Sequence, residues 1–397
     1  MPILFLIVVI DLIGFGVIIP LLPFYGEHYQ ATPAMVGLLM ATYSFTQFLA
    51  APFWGRLSDR TGRRPVLLVS LFGTALSYVW LGFADSLWML FAARAMGGFM
   101  AGNISTAFAY VADVTTRENR ARGMGVIGAA FGLGFIIGPA VGGLLAGSDP
   151  VNANFQRPAF AAAGFSFAAL VMAFFVLKES LSEETRKRLA EQPPQTRMQL
   201  FSQALSRPNV ALLIGVSFLA TFAFAGLEAT FAMWSRRQFG WGPEQNGYLF
   251  AFVGLLGAFV QGRMVGSLAR RFGEARLIVQ GAVALCTGVL IIPLASTLPL
   301  LVVAITVAAY GFSIISPSLN SLISLQVGDD EQGGVMGVTR SATTLARVLG
   351  PAWAGLLFSV LGKDWPYFGG AAVMAIVVVV CFRAIPQLEH PKQPPTA

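Results

Sequence analysis

Asp11, Arg94, Glu228 and Arg347 are ionisable side chains set inside long apolar stretches of the chain. A charge at the centre of a membrane helix costs about 2.5–3.5 kcal/mol on insertion scales, so each must face a wet cavity or a partner. Asp11, in Asp-Leu-Ile-Gly-Phe-Gly-Val-Ile-Ile-Pro, is a candidate proton carrier, because a carboxyl keeps or loses its proton according to whether it is desolvated or beside a cation. The same residue could instead form a static buried pair, or an interhelical hydrogen bond, with Arg94. Glu228 could attract a cationic ligand or carry a proton, or it could sit solvated near a helix end. Arg347 could bind an anionic ligand or neutralise Glu228.

Two further segments have chemistry in their spacing. Residues 55–65, Gly-Arg-Leu-Ser-Asp-Arg-Thr-Gly-Arg-Arg-Pro, crowd alternating charge into what reads as one short turn, with Gly55 and Gly62 permitting a tight path. Asp59 can pair there with Arg63, or with a cation or helix N-terminus nearby, and a contact made in one conformation and broken in another biases a gate. The plainer reading is a cation cluster that sets topology. Residues 132–143, Gly-Leu-Gly-Phe-Ile-Ile-Gly-Pro-Ala-Val-Gly-Gly, place Gly134, Gly138 and Gly142 on one helix face, where a second helix can approach closely. Pro139 removes a backbone donor within that face and could make it a hinge.

The elements that must hold these residues follow from composition. The chain of 397 residues is 56% hydrophobic and 11% charged, with 33 Phe and 43 Gly, too apolar for a soluble surface. Crossing the hydrocarbon layer takes about 20 apolar residues. Such stretches occur at 3–24, 35–56, 66–84, 88–111, 122–147 and 158–177, and again at 209–233, 246–268, 277–294, 298–325, 334–361 and 366–384. The expected fold is therefore an all-α membrane protein of twelve transmembrane helices in two pseudo-symmetric six-helix bundles.

Cations gather in alternate loops: Arg56, Arg60, Arg63 and Arg64; then Arg117, Arg120 and Arg122; then Lys178, Arg186, Lys187, Arg188, Arg197 and Arg207. Those loops, and with them both termini, should face the cytoplasm. Arg157, Arg236, Arg237 and Lys363 are the exceptions. The net charge of +7 follows from this bias and forms no stripe for a nucleic acid to bind. The first span starts almost at Met1 without a cationic leader or a small-residue cleavage site, so a removable signal peptide is not expected.

Residues 179–208 are the long polar stretch and divide the chain into 1–178, a cytoplasmic linker 179–208, and 209–397. Within the linker, 182–191 could form a surface helix. The halves repeat: the Gly55 segment returns at Gly266-Ser-Leu-Ala-Arg-Arg-Phe-Gly-Glu-Ala, Met124-Gly125 at Met336-Gly337, and Gly138-Pro139 at Gly350-Pro351. Duplicated membrane units mark transporters.

The 55–65 segment resembles the loop between the second and third spans of the major facilitator superfamily. The resemblance implies a latch that holds the outward-open state, with Asp59, Arg60 and Arg63 as its charges and Gly55 and Gly62 as position markers. The second copy keeps Gly266, Arg270, Arg271 and Gly273 but has no acid where Asp59 stands. The glycine-proline segment resembles the motif that marks the superfamily's antiporters, and Arg94 resembles the fourth-span arginine implicated in proton transfer. Over nearly the whole chain the pattern is similar to the twelve-span tetracycline/proton antiporters and their drug-exporting relatives. Asp113 matches an acid at the cytoplasmic end of the fourth span that would join the Asp59 network, and Gln261 fits as a substrate contact. The chain departs from that pattern at Ser77 and Leu285, where those exporters place acids, at Gly257, where they place a histidine, and at Glu228, where they have a proline.

The expectation is a proton-driven antiporter of the cell inner membrane, with the lipid bilayer, protons and a small amphipathic molecule as its partners, acting as a monomer at a site midway through the membrane between the halves. An importer or symporter on the same fold, and a non-transporting receptor or lipid-handling protein, are the alternatives. No cofactor is expected. His28 and His390 are the only histidines and no metal cluster, phosphate loop or nucleophile-base set is visible, which argues against an enzyme. Cys286 and Cys381 lie in apolar spans as small packing residues.

Overall fold

In the computed structural model the described residues are 2–116, 119–186, 197–328 and 331–384. Among them every regular element is a helix, and eleven helices are long and apolar enough to cross a membrane. The first span runs through Pro2–Ile18 and Leu22–His28, interrupted where Pro20 and Pro23 remove backbone donors. Pro33–Thr61, Arg63–Gly82, Arg120–Ala146 and Gln156–Val176 form the second, third, fifth and sixth. Pro208–Phe239, Pro243–Phe272, Glu274–Leu294, Leu298–Leu325, Gln332–Leu361 and Trp365–Ala384 form the seventh to twelfth.

The fourth span departs from the expected single helix over 88–111. It is two helices, Leu87–Ala101 and Ile104–Val114, joined at Gly102 and Asn103. Both residues are poor helix formers, and at the joint the backbone tightens to bonds from Gly102 N–H to Phe99 and from Asn103 N–H to Met100. The indole N–H of Trp54 takes the Phe99 carbonyl at 2.6 Å, and the Asn103 amide donates to the Ser70 hydroxyl, so the break leaves these polar groups satisfied.

Residues 183–186 form a helical turn, while the rest of the predicted 182–191 helix from Lys187 onward lies outside the described residues, as do Arg117 and His390. A short helix, Arg197–Leu205, leads into the seventh span.

The chain forms two compact units, Met1–Pro194 with Ala229–Leu255, and Gln195–Glu228 with Leu256–Ala397. In the first unit the first span packs mainly on the fifth and sixth, the second on the fourth, and the third on the fourth and sixth. In the second unit the ninth span packs on the tenth and twelfth. Large apolar side chains also cover the outer faces, with Trp88 82% and Phe175 78% exposed, as lipid-facing surface requires.

Candidate functional site

The turn between the second and third spans is tighter than its sequence suggests. Helix Pro33–Thr61 continues through Gly55, so Gly55 does not shape the turn; it lies inside the helix, facing Ser105. Gly62 alone makes the turn, with φ +106, a conformation that favours glycine. It is followed at once by helix Arg63–Gly82, whose first N–H groups need acceptors. Glu179 supplies them: its carboxylate accepts from Arg63 N at 2.8 Å and Arg64 N at 3.0 Å. A negative group at a helix N-terminus is also favoured by the helix dipole.

Arg63 turns inward and is 5% exposed. It pairs with Asp59, donates through Nε to Asp113 at 3.2 Å, and reaches the Ser58 hydroxyl at 2.7 Å. The Ser180 hydroxyl donates to Asp113 at 2.9 Å. Asp59, Arg63 and Asp113 are therefore one network, whereas Arg60 is exposed and makes no ion pair with a described residue. Glu179 and Ser180 are members that the sequence reading missed. Their place is a matter of tertiary contact, because Glu179 lies 116 residues from Arg63.

The glycine face of the fifth span lies on the first. A Cβ on Gly134 would stand 2.7 Å from Leu12 Cβ, and one on Gly138 would stand 2.6 Å from Gly16 Cα. A Cβ on Gly142 would meet the Val17 backbone. The adjoining face meets the eighth span in the same unit: a Cβ on Gly143 would be 2.8 Å from the Pro243 carbonyl oxygen, and one on Gly254 would be 2.7 Å from that of Phe135. Backbone contact of this kind is open only to glycine. Pro139 sits within the continuous helix Arg120–Ala146, and its carbonyl faces Gly247.

The ionisable residues of the spans fall into separate settings. Asp11 accepts a hydrogen bond from the Ser166 hydroxyl at 2.8 Å and forms no ion pair with Arg94. Arg94, 4% exposed, lies over the Tyr43 ring with its guanidinium carbon 4.3 Å from the centroid. Glu228 and Arg347 approach to 4.0 Å, the carboxylate side chain 13% and the guanidinium 44% exposed. Gln261 is exposed and lies in a π-helical turn, Val260–Met264, a local widening common at functional positions. Arg340, two helical turns before Arg347 on the eleventh span, is a further cation that the sequence reading passed over.

A last cluster gives partners to two of the cations that break the charge bias. Glu27, with its side chain 10% exposed, accepts from Arg236 at 2.8 Å and Arg237 at 2.9 Å. The three residues, with Gln30, Ala31 and Thr32, line a cavity of about 480 Å³. Among the described residues no group of His, Cys, Asp and Glu could hold a metal ion.

Residues 4–351 and 264–397 match the Major Facilitator Superfamily. The class C tetracycline resistance protein of Escherichia coli is 32% identical over 95% of this chain and 94% of its own length. Multidrug resistance protein 2 of Bacillus subtilis is 30% identical over 92% of this chain and 90% of its own. Among solved structures, the human organic anion transporter MFSD10 (TETRAN) superposes with a TM-score of 0.72 at 28% identity, covering 96% of this chain and 98% of that one.

Proposed function

Because the chain belongs to the major facilitator superfamily, and is thus a multi-pass membrane transporter of small molecules, we propose that it exports small amphipathic compounds in exchange for protons. The observation that carries this reading is the setting of Asp11. Its carboxylate lies in a membrane helix with a neutral hydroxyl as partner, so a proton can come and go without breaking an ion pair. Glu228, held loosely by Arg347, is the second carboxylate that can respond to proton or cargo. Supporting the efflux direction are the glycine-proline face of the fifth span and the roughly one-third identity to proteins named for tetracycline and multidrug resistance.

The charge bias of the loops supports insertion in the cytoplasmic membrane with both termini inside. The internal repeat supports two related six-span halves, 1–178 and 209–397, joined by the linker 179–208. Alternating access then follows from protonation: neutralising Asp11 or Glu228 changes the relative stability of two conformations and so shifts their populations. The Asp59–Arg63–Asp113 network is the inner latch and the Glu27–Arg236–Arg237 cluster the outer one.

The test is reconstitution into liposomes with an imposed pH gradient and an internal pH dye, challenged with lipophilic cations, tetracyclines and neutral drugs. Wild type should release protons on addition of cargo, and Asp11→Asn should not. Cargo movement that leaves the gradient intact in wild type would replace exchange by uniport.

A further inference from the structure

Arg63 and Arg94 are almost equally buried, 5% and 4% exposed, yet their surroundings are opposite. Arg63 is met by two carboxylates and a hydroxyl. Arg94 makes no hydrogen bond or ion pair with a described residue, and its Nε–H is buried without an acceptor. A guanidinium keeps its charge at any physiological pH, so it cannot relieve its burial by losing a proton. Nor does Asp11 form an ion pair with it; that carboxylate accepts from the Ser166 hydroxyl.

What the protein does provide is a face. The Tyr43 ring lies under the guanidinium at 4.3 Å, a cation–π contact that occupies the flat side and leaves the N–H edge unused. Tyr43 in turn packs on Phe15 with ring centroids 5.1 Å apart, and Phe15 on Phe135 at 6.0 Å. An unspent guanidinium edge beside an aromatic wall matches a ligand with an acidic group on an apolar ring system, because that edge pairs with a carboxylate or sulfonate through parallel N–H bonds.

We infer that Arg94, backed by Tyr43, Phe15 and Phe135, is a binding residue for the acidic group of an organic anion, and that aromatic organic anions are the cargo class. The inference rests on the transporter reading above but not on its proton coupling. It makes Arg94 a cargo contact, which a fixed cation in a proton path is not.

The experiment compares fluorescein, a xanthene dye carrying carboxylate and phenolate, with rhodamine 6G, a cation on the same ring system. Binding to the purified full chain is read by fluorescence anisotropy and exchange by counterflow in proteoliposomes. Wild type should bind fluorescein at least tenfold more tightly than rhodamine 6G. Arg94→Gln should lose at least tenfold in fluorescein affinity with rhodamine 6G binding unchanged, and Arg94→Lys should recover part of the loss. Preference of wild type for rhodamine 6G would overturn the inference, and that comparison needs no variant to fold. Equal fluorescein affinity in wild type and Arg94→Gln would overturn it as well. The two proposals separate: Arg94-dependent fluorescein binding without proton movement sinks proton exchange alone, whereas rhodamine 6G exchanged for protons with no fluorescein binding sinks the anion assignment alone.

Discussion

Gly138 and Gly16 touch backbone to backbone: a Cβ added to Gly138 would lie 2.6 Å from Gly16 Cα, closer than real Cβ atoms come. The fifth span is thus fixed against the first through main chain, and the segment that carries Asp11 is also positioned by Gly134 and Gly142, one turn to either side on the same face.

Gly138→Ala should therefore both destabilise and inactivate. The backbone cannot yield as a flexible side chain can, and overpacking of a tight contact typically costs about 1–3 kcal/mol. Gly125→Ala, in the same helix but with nothing within 4 Å of the added carbon, is the control. Thermal unfolding in detergent should show a lowered midpoint for Gly138→Ala and none for Gly125→Ala, and transport should follow the same order. Equal behaviour of the two variants would remove the close approach as the reason for the motif.

The network around Arg63 predicts non-additivity. Asp59→Asn and Asp113→Asn each leave Arg63 one carboxylate, whereas the double variant leaves a buried guanidinium with none. Removing the last partner of a buried charge costs about 3–5 kcal/mol, so the double variant should lose more than the sum of the singles. Glu179→Gln keeps an acceptor for Arg63 N but removes the charge at the helix start, worth about 0.3–1 kcal/mol. Melting midpoints of the four variants measure both effects.

How much of this was readable beforehand depended on range. The helices and the glycine face were legible because apolar length and four-residue spacing act locally, and Arg63 with Asp59 is a pair one helical turn apart. The break in the fourth span was not, because it is completed by Trp54 and Ser70 from other helices. Ser166, Glu179 and Glu27 were missed for the same reason: a serine in an apolar span, or an acid at a helix end, has no signature until the chain brings Asp11, Arg63 or Arg236 to it. Arg340 was different, since it lay in plain view in the eleventh span and only its neighbour Arg347 was weighed.

Outside the spans, Glu331 predicts an acid-dependent contact. The hydrogen bonds from Arg207, at 2.7 and 2.8 Å, hold its carboxyl below the ordinary glutamate value of 4.5. A carboxyl lowered by folding contributes in full above its unfolded value and loses that contribution as pH falls through the folded one. The difference in melting midpoint between wild type and Glu331→Gln should thus be constant from neutral pH down to about 4.5 and shrink below it. A difference that grows on acidification would contradict the assignment.

Glu27 offers the most direct test of the proposed outer latch. Its carboxylate pairs with both Arg236 and Arg237, so Glu27→Gln removes a negative charge that two successive cations share at the cavity wall. Like charges that close repel, and the ends of the first and seventh spans should separate. With Cys286 and Cys381 replaced by serine, a cysteine at Thr32 in the cavity wall reports the change through its rate of reaction with a membrane-impermeant maleimide. Glu27→Gln should accelerate labelling severalfold from outside intact cells, and Glu27→Asp, which keeps the charge on a shorter arm, should fall between. High salt should narrow the gap only modestly, because partly buried pairs are screened less than exposed ones. Labelling that is the same in all three backgrounds would mean that the ion pairs form at this end of the molecule without holding it closed.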